Sequence, residues 1–236
     1  DAQLAEQAAG MEEWMHAVSH DLRAPLRHIT SYGPLVRELL QESGLPADAQ
    51  QEALAFLDTM DQSARRMGRM LEGLLALSRI ARAPLRRDAV DLAALVEQAR
   101  APLAEAAQGR SVQWQIAPDL PTVQGDATLL RQMLTELLAN ALKFTRGREP
   151  ACIAVGWERG ADGQFALTVQ DNGAGFNPAQ AAGLFGTFQR LHRESEFEGV
   201  GAGLAAVRAI VRRHGGEARA AAVPGEGCTV RVCWAG

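Results

Sequence analysis

The chain has 236 residues, 47% of them apolar and 22% charged, and a net charge of −4. That length holds one or two domains with a sizeable core, and the composition excludes a disordered segment. The charge balance excludes a general attraction to nucleic acid, and no stretch approaches the ~20 apolar residues of a membrane span.

The first part is helical. Met11, Met15, Val18, Leu22, Ile29, Val36 and Leu40 step mostly by three, four or seven, which is a seam of heptad type. Within it lies "AVSHDLRAPLRHI" (Ala17 to Ile29), with His20 beside Asp21 and Pro25 five residues past the histidine. His20 sits ~200° from Val18 and from Leu22, so it is expected to point away from the seam. Pro25 has no N–H for the carbonyl of Asp21, so the helix is expected to bend or loosen there. "QESGLPAD" (Gln41 to Asp48) reads as a hairpin turn. A second helical run carries Leu57, Met60, Ala64, Met67, Leu71 and Leu74. Two narrow seams are poorly buried by one hairpin, and pairing two hairpins into a four-helix bundle solves this. A homodimer is therefore expected; packing against the rest of the same chain is the alternative.

"RIARAPLRRD" (Arg79 to Asp88) ends the helix and reads as a linker. The expected division is a helical hairpin over 1–80, a linker over 81–88 and a second domain over 89–236. In that domain "VDLAALVEQARAPLAEAA" reads as a helix and "SVQWQIA" as a strand. "DATLLRQMLTELLANALKFT" reads as a strong helix capped by Asp126. "ACIAVGWERG" and "QFALTVQD" read as paired strands. "LAAVRAIVRRHGG" is a helix stopped by Gly215 and Gly216, and "EARAAAV" and "GCTVRVCWA" are two closing strands. The fold class is α+β multidomain: a helical hairpin, then an α/β sandwich with a mixed sheet and helices on one face.

Three cysteines, Cys152, Cys228 and Cys233, show no metal-ligand spacing, and their odd number argues against a disulfide framework. A reducing, cytoplasmic setting is expected. No signal peptide is visible. The chain opens at Asp1 without Met, so it reads as a fragment of a longer protein, with a sensor or membrane segment upstream left open.

Two glycine clusters carry the chemistry. "DNGAG" (Asp171 to Gly175) follows a strand, and "GVGAGL" (Gly199 to Leu204) precedes a helix. Glycines there let backbone N–H groups approach a ligand, and a glycine-rich helix start is a ready phosphate site. Each cluster alone is equally well a turn. "ELLANALKFT" adds Glu136, Asn140, Lys143 and Phe144 on adjoining helical turns. An amide oxygen suits Mg²⁺ and a lysine suits phosphate; a solvated helix face is the plainer reading of Lys143 taken alone.

Together these blocks resemble a bacterial two-component sensor histidine kinase. "SHDLRAPL" resembles the phosphoacceptor box, "ELLANALKFT" the asparagine box, "DNGAG" the first glycine box, "FGTFQRLH" the phenylalanine box and "GVGAGLAAV" the second glycine box. The wording from Phe188 to Gly216 is most similar to kinases behind phytochrome or PAS-type sensors. The resemblance implies a phosphotransfer hairpin followed by an ATP-binding domain of the type shared with gyrase and Hsp90. It implies autophosphorylation of His20, with Asp21 as neighbouring acid, and phosphotransfer to a response-regulator aspartate. ATP and Mg²⁺ are the implied cofactors. Asn140 would hold Mg²⁺, with Lys143 near the phosphates. Asp171 would read adenine, with Gly173 and Gly175 shaping that wall. Gly199, Gly201 and Gly203 would form the lid's end around the phosphates, Arg190 and Leu204 would also bind the nucleotide, and Thr229 would bring a hydroxyl near the base. Residues 176–198 would form a lid anchored by Phe185 and Phe188. Implied partners are a second copy, a response-regulator receiver domain and an upstream PAS, GAF or phytochrome-type sensor.

Three departures stand out. Glu136 opens the asparagine box where the family usually has Asn; related ATPases use a glutamate there as a hydrolytic base. Val200 and Ala202 replace the usual hydroxyl and larger aliphatic of the second glycine box. Ala24 stands where many members carry Thr or Asn to position water for dephosphorylation, so weak phosphatase activity is expected. The alternatives are a catalytically weak nucleotide-binding signalling scaffold and an ATPase of the shared fold.

Overall fold

The computed structural model describes residues 2–160, 164–193 and 196–234, with side chains from residue 21 onward. Two compact units emerge, residues 1–78 and 79–236.

The first unit is built on α1 (Ala2–Glu42) and α2 (Ala47–Arg82). The turn between them uses Gly44 at a positive φ. The Gln50 side-chain amide donates to the carbonyl of Leu40 at 2.7 Å, and Arg37 pairs with Asp58 across the hairpin. The assigned helix α1 runs unbroken through Pro25 and through a second proline, Pro34. His20 lies within α1, but its side chain is outside the described residues, as are Met11, Met15 and Val18 of the expected seam.

The rest of that seam splits into two faces. Leu26, Thr30, Gly33, Arg37 and Leu40 are partly covered on α1, as are Leu57 and Leu71 on α2, where Ala64 is buried. Leu22, Ile29, Val36, Met60 and Met67 lie instead on an exposed stripe, with Tyr32, Leu35, Leu39 and Phe56 beside them. A helix in a two-layer bundle needs one apolar face for its hairpin mate and a second for another hairpin.

The second unit begins inside α2. Ile80 is buried there, and the Arg213 guanidinium donates to its carbonyl at 2.5 Å. The expected linker start at 81 is thus two residues early, since α2 continues to Arg82. A short strand, β1 (Asp88–Asp91), pairs antiparallel with β3 (Thr122–Gly125). The expected helix from Val90 therefore starts later: Asp91 ends β1 and caps α3 (Leu92–Arg100) by accepting from Ala93 N and Ala94 N.

The main sheet has the order β2 (Val112–Ile116), β4 (Ala151–Arg159), β5 (Phe165–Asp171), β7 (Gly227–Trp234), β6 (Glu217–Val223). β2 and β4 are parallel and the remaining pairs antiparallel, which makes the sheet mixed. Helices α4 (Ala127–Phe144) and α5 (Gly203–Arg213) complete the unit. Strand alternation sends Ile153, Val155, Leu167, Val169, Val232 and Trp234 to one face, where they are at most 3% exposed. Leu130, Met133, Leu134 and Leu138 of α4, with Val207 and Ile210 of α5, are equally buried and close the core.

Asp126 joins three segments of this unit. Its carboxylate accepts from Thr128 N at 3.0 Å and Leu129 N at 3.1 Å, capping α4 as expected, and from Arg86 N at 3.1 Å. Its own N–H donates at 3.0 Å to Nε2 of His214, a ring 2% exposed at the end of α5. Among the described residues no helix is long and apolar enough to cross a membrane. The three cysteines are free.

Candidate functional site

A cavity of about 350 Å³ opens between α4, the ends of β5 and β7, and the segment leading into α5. Its lining includes Glu136, Asn140, Lys143, Asp171, Gly175, Arg190, Gly199, Gly201, Gly203 and Leu204. Ten residues singled out from four sequence blocks thus meet on one surface. α4 explains part of this: Glu136, Asn140 and Lys143 recur at four and three residues, one face of a helix.

At the inner end stands Asp171, the last residue of β5 and 8% exposed. Gly173 N donates to its Oδ1 at 2.9 Å. Burial pushes the Asp171 carboxyl up to about 6, opposed by the backbone N–H groups of Gly173 and Cys228. Gly175 continues the wall at φ 61, and a Cβ there would overlap the carbonyl of Val223. Only glycine fits both demands. Gly173 does not line the cavity; it acts through its hydrogen bond to Asp171.

Thr229 is a correction. It does not line the cavity, whereas its neighbours Cys228 and Val230 do. On β7 the side chains alternate, so Val230 shares the inner face with Val232 and Trp234 while Thr229 shares the outer face with Arg231. The side chain paired opposite Asp171 on this strand is the Cys228 thiol, pushed up to about 12 by burial and by the Asp171 carboxylate. The alternating apolar residues of "VRVCW" carried that parity signal.

At the outer end the charges gather. Burial lowers the Lys143 ammonium pKa, partly countered by Glu198 and Glu136, and its Nζ lies 4.5 Å from the Phe144 ring centroid. Burial raises the Glu136 carboxyl, offset in part by Lys143. Arg190 donates to the carbonyls of Gly199 at 2.5 Å and Phe197 at 2.7 Å, so it braces the segment before α5. Arg146 pairs through both terminal nitrogens with Glu198, and this hydrogen bonding holds the Glu198 carboxyl down at about 2. Phe144, His192 and Phe197 form an aromatic wall, with centroids 4.9–5.4 Å apart. Phe185 is buried as expected of an anchor; Phe188 is half-buried and sits at φ 61. Helix α5 has no side-chain cap at its start, so its first N–H groups face the glycine cluster uncapped by a side chain.

No group of three His, Cys, Asp or Glu suited to a metal occurs among the described residues. The oxygen donors on the cavity beside α5 are the Asn140 amide and, one turn earlier, the Glu136 carboxylate. Such a pair fits a hard cation that takes its other positions from phosphate and water. Asp21 is exposed on α1.

Comparison with known proteins matches both units. The His Kinase A (phospho-acceptor) domain family matches residues 11–83. The family of histidine kinase-, DNA gyrase B- and HSP90-like ATPases matches residues 125–235. The chain belongs to the sensor histidine kinases. It is 33% identical over 88% of its length to the methanogenesis regulatory histidine kinase FilI of Methanothrix harundinacea. It is 29% identical over 96% to the phytochrome-like protein Cph1 of Synechocystis, and 33% identical over 96% to the adaptive-response sensory kinase SasA of a Synechococcus. The chain spans only 23%, 29% and 59% of those three histidine kinase relatives. Among solved structures, full-length ShkA in complex with AMPPNP superimposes with a TM-score of 0.64 at 25% identity, covering 94% of this chain and 45% of that one.

Proposed function

We propose that this chain is the kinase core of a two-component sensor: it transfers the γ-phosphoryl group of ATP to His20 and passes it to an aspartate of a response-regulator receiver domain. The observation that supports this most is the single cavity shared by Asp171, Asn140, Lys143 and the uncapped start of α5. Asp171 accepts the exocyclic amine of adenine at the inner end. Lys143 and the α5 N–H groups meet the phosphates at the outer end. Mg²⁺, held by Asn140 with Glu136 in reach, would neutralise charge on the triphosphate.

In the transfer a ring nitrogen of neutral His20 attacks the γ-phosphorus. The nitrogen–phosphorus bond forms, the bond to the β–γ bridging oxygen breaks, and ADP leaves. The ring proton passes to Asp21, whose position on the next residue allows a side-on contact and no more. The acceptor histidine and the nucleotide belong to different units, so positioning requires docking, with the connection after α2 as hinge. The exposed stripe of Leu22, Ile29, Val36, Met60 and Met67 supports pairing of two hairpins in a homodimer. An upstream sensor of the PAS, GAF or phytochrome type would bias that bundle, and the setting would be cytoplasmic.

The test is incubation with γ-labelled ATP and Mg²⁺. Acid-labile, alkali-stable label is expected on the wild type and absent from His20→Gln. A second reading, slow ATP hydrolysis with Glu136 as base, is favoured by the half-buried Glu136 carboxyl on the cavity, raised above its ordinary value. It predicts turnover that survives His20→Gln and falls about 10²-fold with Glu136→Ala.

A further inference from the structure

The loop that carries the base-reading wall is held from outside by one side chain. Arg148 follows α4 in a turn and is half-buried. Its N–H donates to the carbonyl of Thr145 at 3.0 Å, which fixes its backbone to the helix end. Its Nη2 donates to the carbonyl of Gly173 at 3.2 Å, and the same nitrogen reaches the carbonyl of Gly225. Gly173 supplies one of the two backbone N–H groups that hold the Asp171 carboxylate, the other coming from Cys228 on β7. Gly225 lies in the β6–β7 turn, and its N–H donates to the carbonyl of Ala174 at 2.7 Å. Ala174 N donates in turn to the carbonyl of Phe144 at 3.1 Å. Arg148 therefore ties together the end of α4 and the 171–175 loop, which both border the cavity, and the β6–β7 turn behind that loop.

Without Arg148 the Gly173 carbonyl loses a charged donor, and Gly173 carries the one N–H contact to Asp171 that comes from the loop, the Cys228 N–H coming from β7. The other ties to the loop include backbone bonds from Gly225, to Phe144 and from Asn172 N to the carbonyl of Cys152 at 3.2 Å, plus the Asn172 side chain, which accepts from Cys152 N at 2.8 Å and donates to the carbonyl of Pro150 at 3.0 Å. None of these bonds a Gly173 polar group. A cationic donor bridging two carbonyls is stronger than a neutral one and fixes their separation.

We infer that Arg148 is a positioning residue for nucleobase recognition: it sets Asp171 for the adenine amine by clamping Gly173 to the β6–β7 turn. This rests on the ATP reading of the cavity given above. The role is confined to the base end, since Lys143, Asn140 and the start of α5 make no contact with Arg148 in the bonds described. Arg148→Met keeps the aliphatic stem and removes the donors; Arg148→Lys keeps the charge but reaches the two carbonyls less well.

The experiment is calorimetric binding of MgATP, MgGTP and inorganic tripolyphosphate to the full chain, with autophosphorylation measured at saturating ATP. For Arg148→Met a roughly tenfold weaker ATP affinity is expected, about 1.4 kcal/mol by the usual conversion. Tripolyphosphate affinity and the saturating rate should stay within about twofold, and the preference for ATP over GTP should narrow. Arg148→Lys should fall between. Unchanged ATP affinity in both variants overturns the inference, as does an equal loss for ATP and tripolyphosphate, which marks a general structural role. Should Arg148→Met not fold, Arg148→Lys alone decides by the same ratio. Failure of the wild type to bind ATP would overturn the nucleotide reading and this inference with it; binding by the wild type isolates the Arg148 claim.

Discussion

Asp171 and Cys228 stand directly opposite each other in the β5–β7 ladder, and both line the same cavity. Burial raises the cost of charge on both, and the Asp171 carboxylate raises it further on the thiol. The Asp171 carboxyl is pushed from its ordinary 3.8 up to about 6. Between those values the folded domain keeps a proton that the unfolded chain has released, so folding stability falls as pH rises through this window. A rise of that size corresponds to about 3 kcal/mol lost by neutral pH. Asp171→Asn removes that cost and keeps an acceptor for Gly173. A higher melting temperature is expected for the variant near pH 7.5, with little change near pH 4.5. An equal change at both pH values would contradict this. ATP affinity of the wild type should weaken as pH falls below about 6, where the acceptor loses its charge, and Asp171→Asn should bind weakly without that pH dependence.

Asp126 makes a different prediction. Burial raises its carboxyl, but the N–H groups of Leu129, Arg86 and Thr128 outweigh this and hold it below the ordinary carboxylate range. Its stabilisation is thus full above that range and lost as pH falls through the lowered folded value. Asp126→Ala removes the α4 cap and the tie to Arg86, and should cost about 2 kcal/mol in denaturant unfolding at neutral pH. The difference from wild type should shrink in acid. A cost that is independent of pH would refute the assignment to the ionised cap.

The exposed stripe of the hairpin predicts the assembly state. Val36 is 40% and Met60 54% exposed, on α1 and α2 respectively. Val36→Asp combined with Met60→Asp buries two charges in the pairing face of a four-helix bundle. Sedimentation should show a dimer for the wild type and a monomer for the double variant, with ATP binding kept. A double variant that still sediments as a dimer would rule this face out.

Ala24 predicts a kinase poorly able to reverse its own signal. It sits on α1 four residues after His20 and offers no hydroxyl or amide to orient water. A phosphorylated receiver domain incubated with the chain and ADP should keep its label. Ala24→Thr should speed its release, and rapid release by the wild type would sink the idea.

The sequence announced most of the second unit. Asp126 before a strongly amphipathic run marked α4, and alternating apolar residues marked β4, β5 and β7, because those elements bury one whole face. β1 and β3 escaped notice because four residues carry no period, and Asp91, which looks like a helix start, also ends a strand. Heptad steps do not separate the two faces of the hairpin: Leu57 is partly covered, whereas Met60 is exposed. Nine of the proposed nucleotide contacts and Glu136 meet at the cavity because motif glycines and an amphipathic helix carry them. Thr229 failed for want of strand parity. Arg146, Arg148 and Glu198 were invisible: a surface charge has no pattern, and their partners lie 25 to 77 residues away.

The central claim is that His20 receives the γ-phosphoryl group of ATP. The most direct measurement labels the chain with γ-labelled MgATP and maps the phosphate by mass spectrometry under mildly alkaline conditions. One acid-labile phosphate is expected on His20, absent in His20→Gln and in Asp171→Ala, with ATP binding kept in His20→Gln. Phosphate on another residue, or no protein-bound label while ATP is bound and hydrolysed, would contradict it.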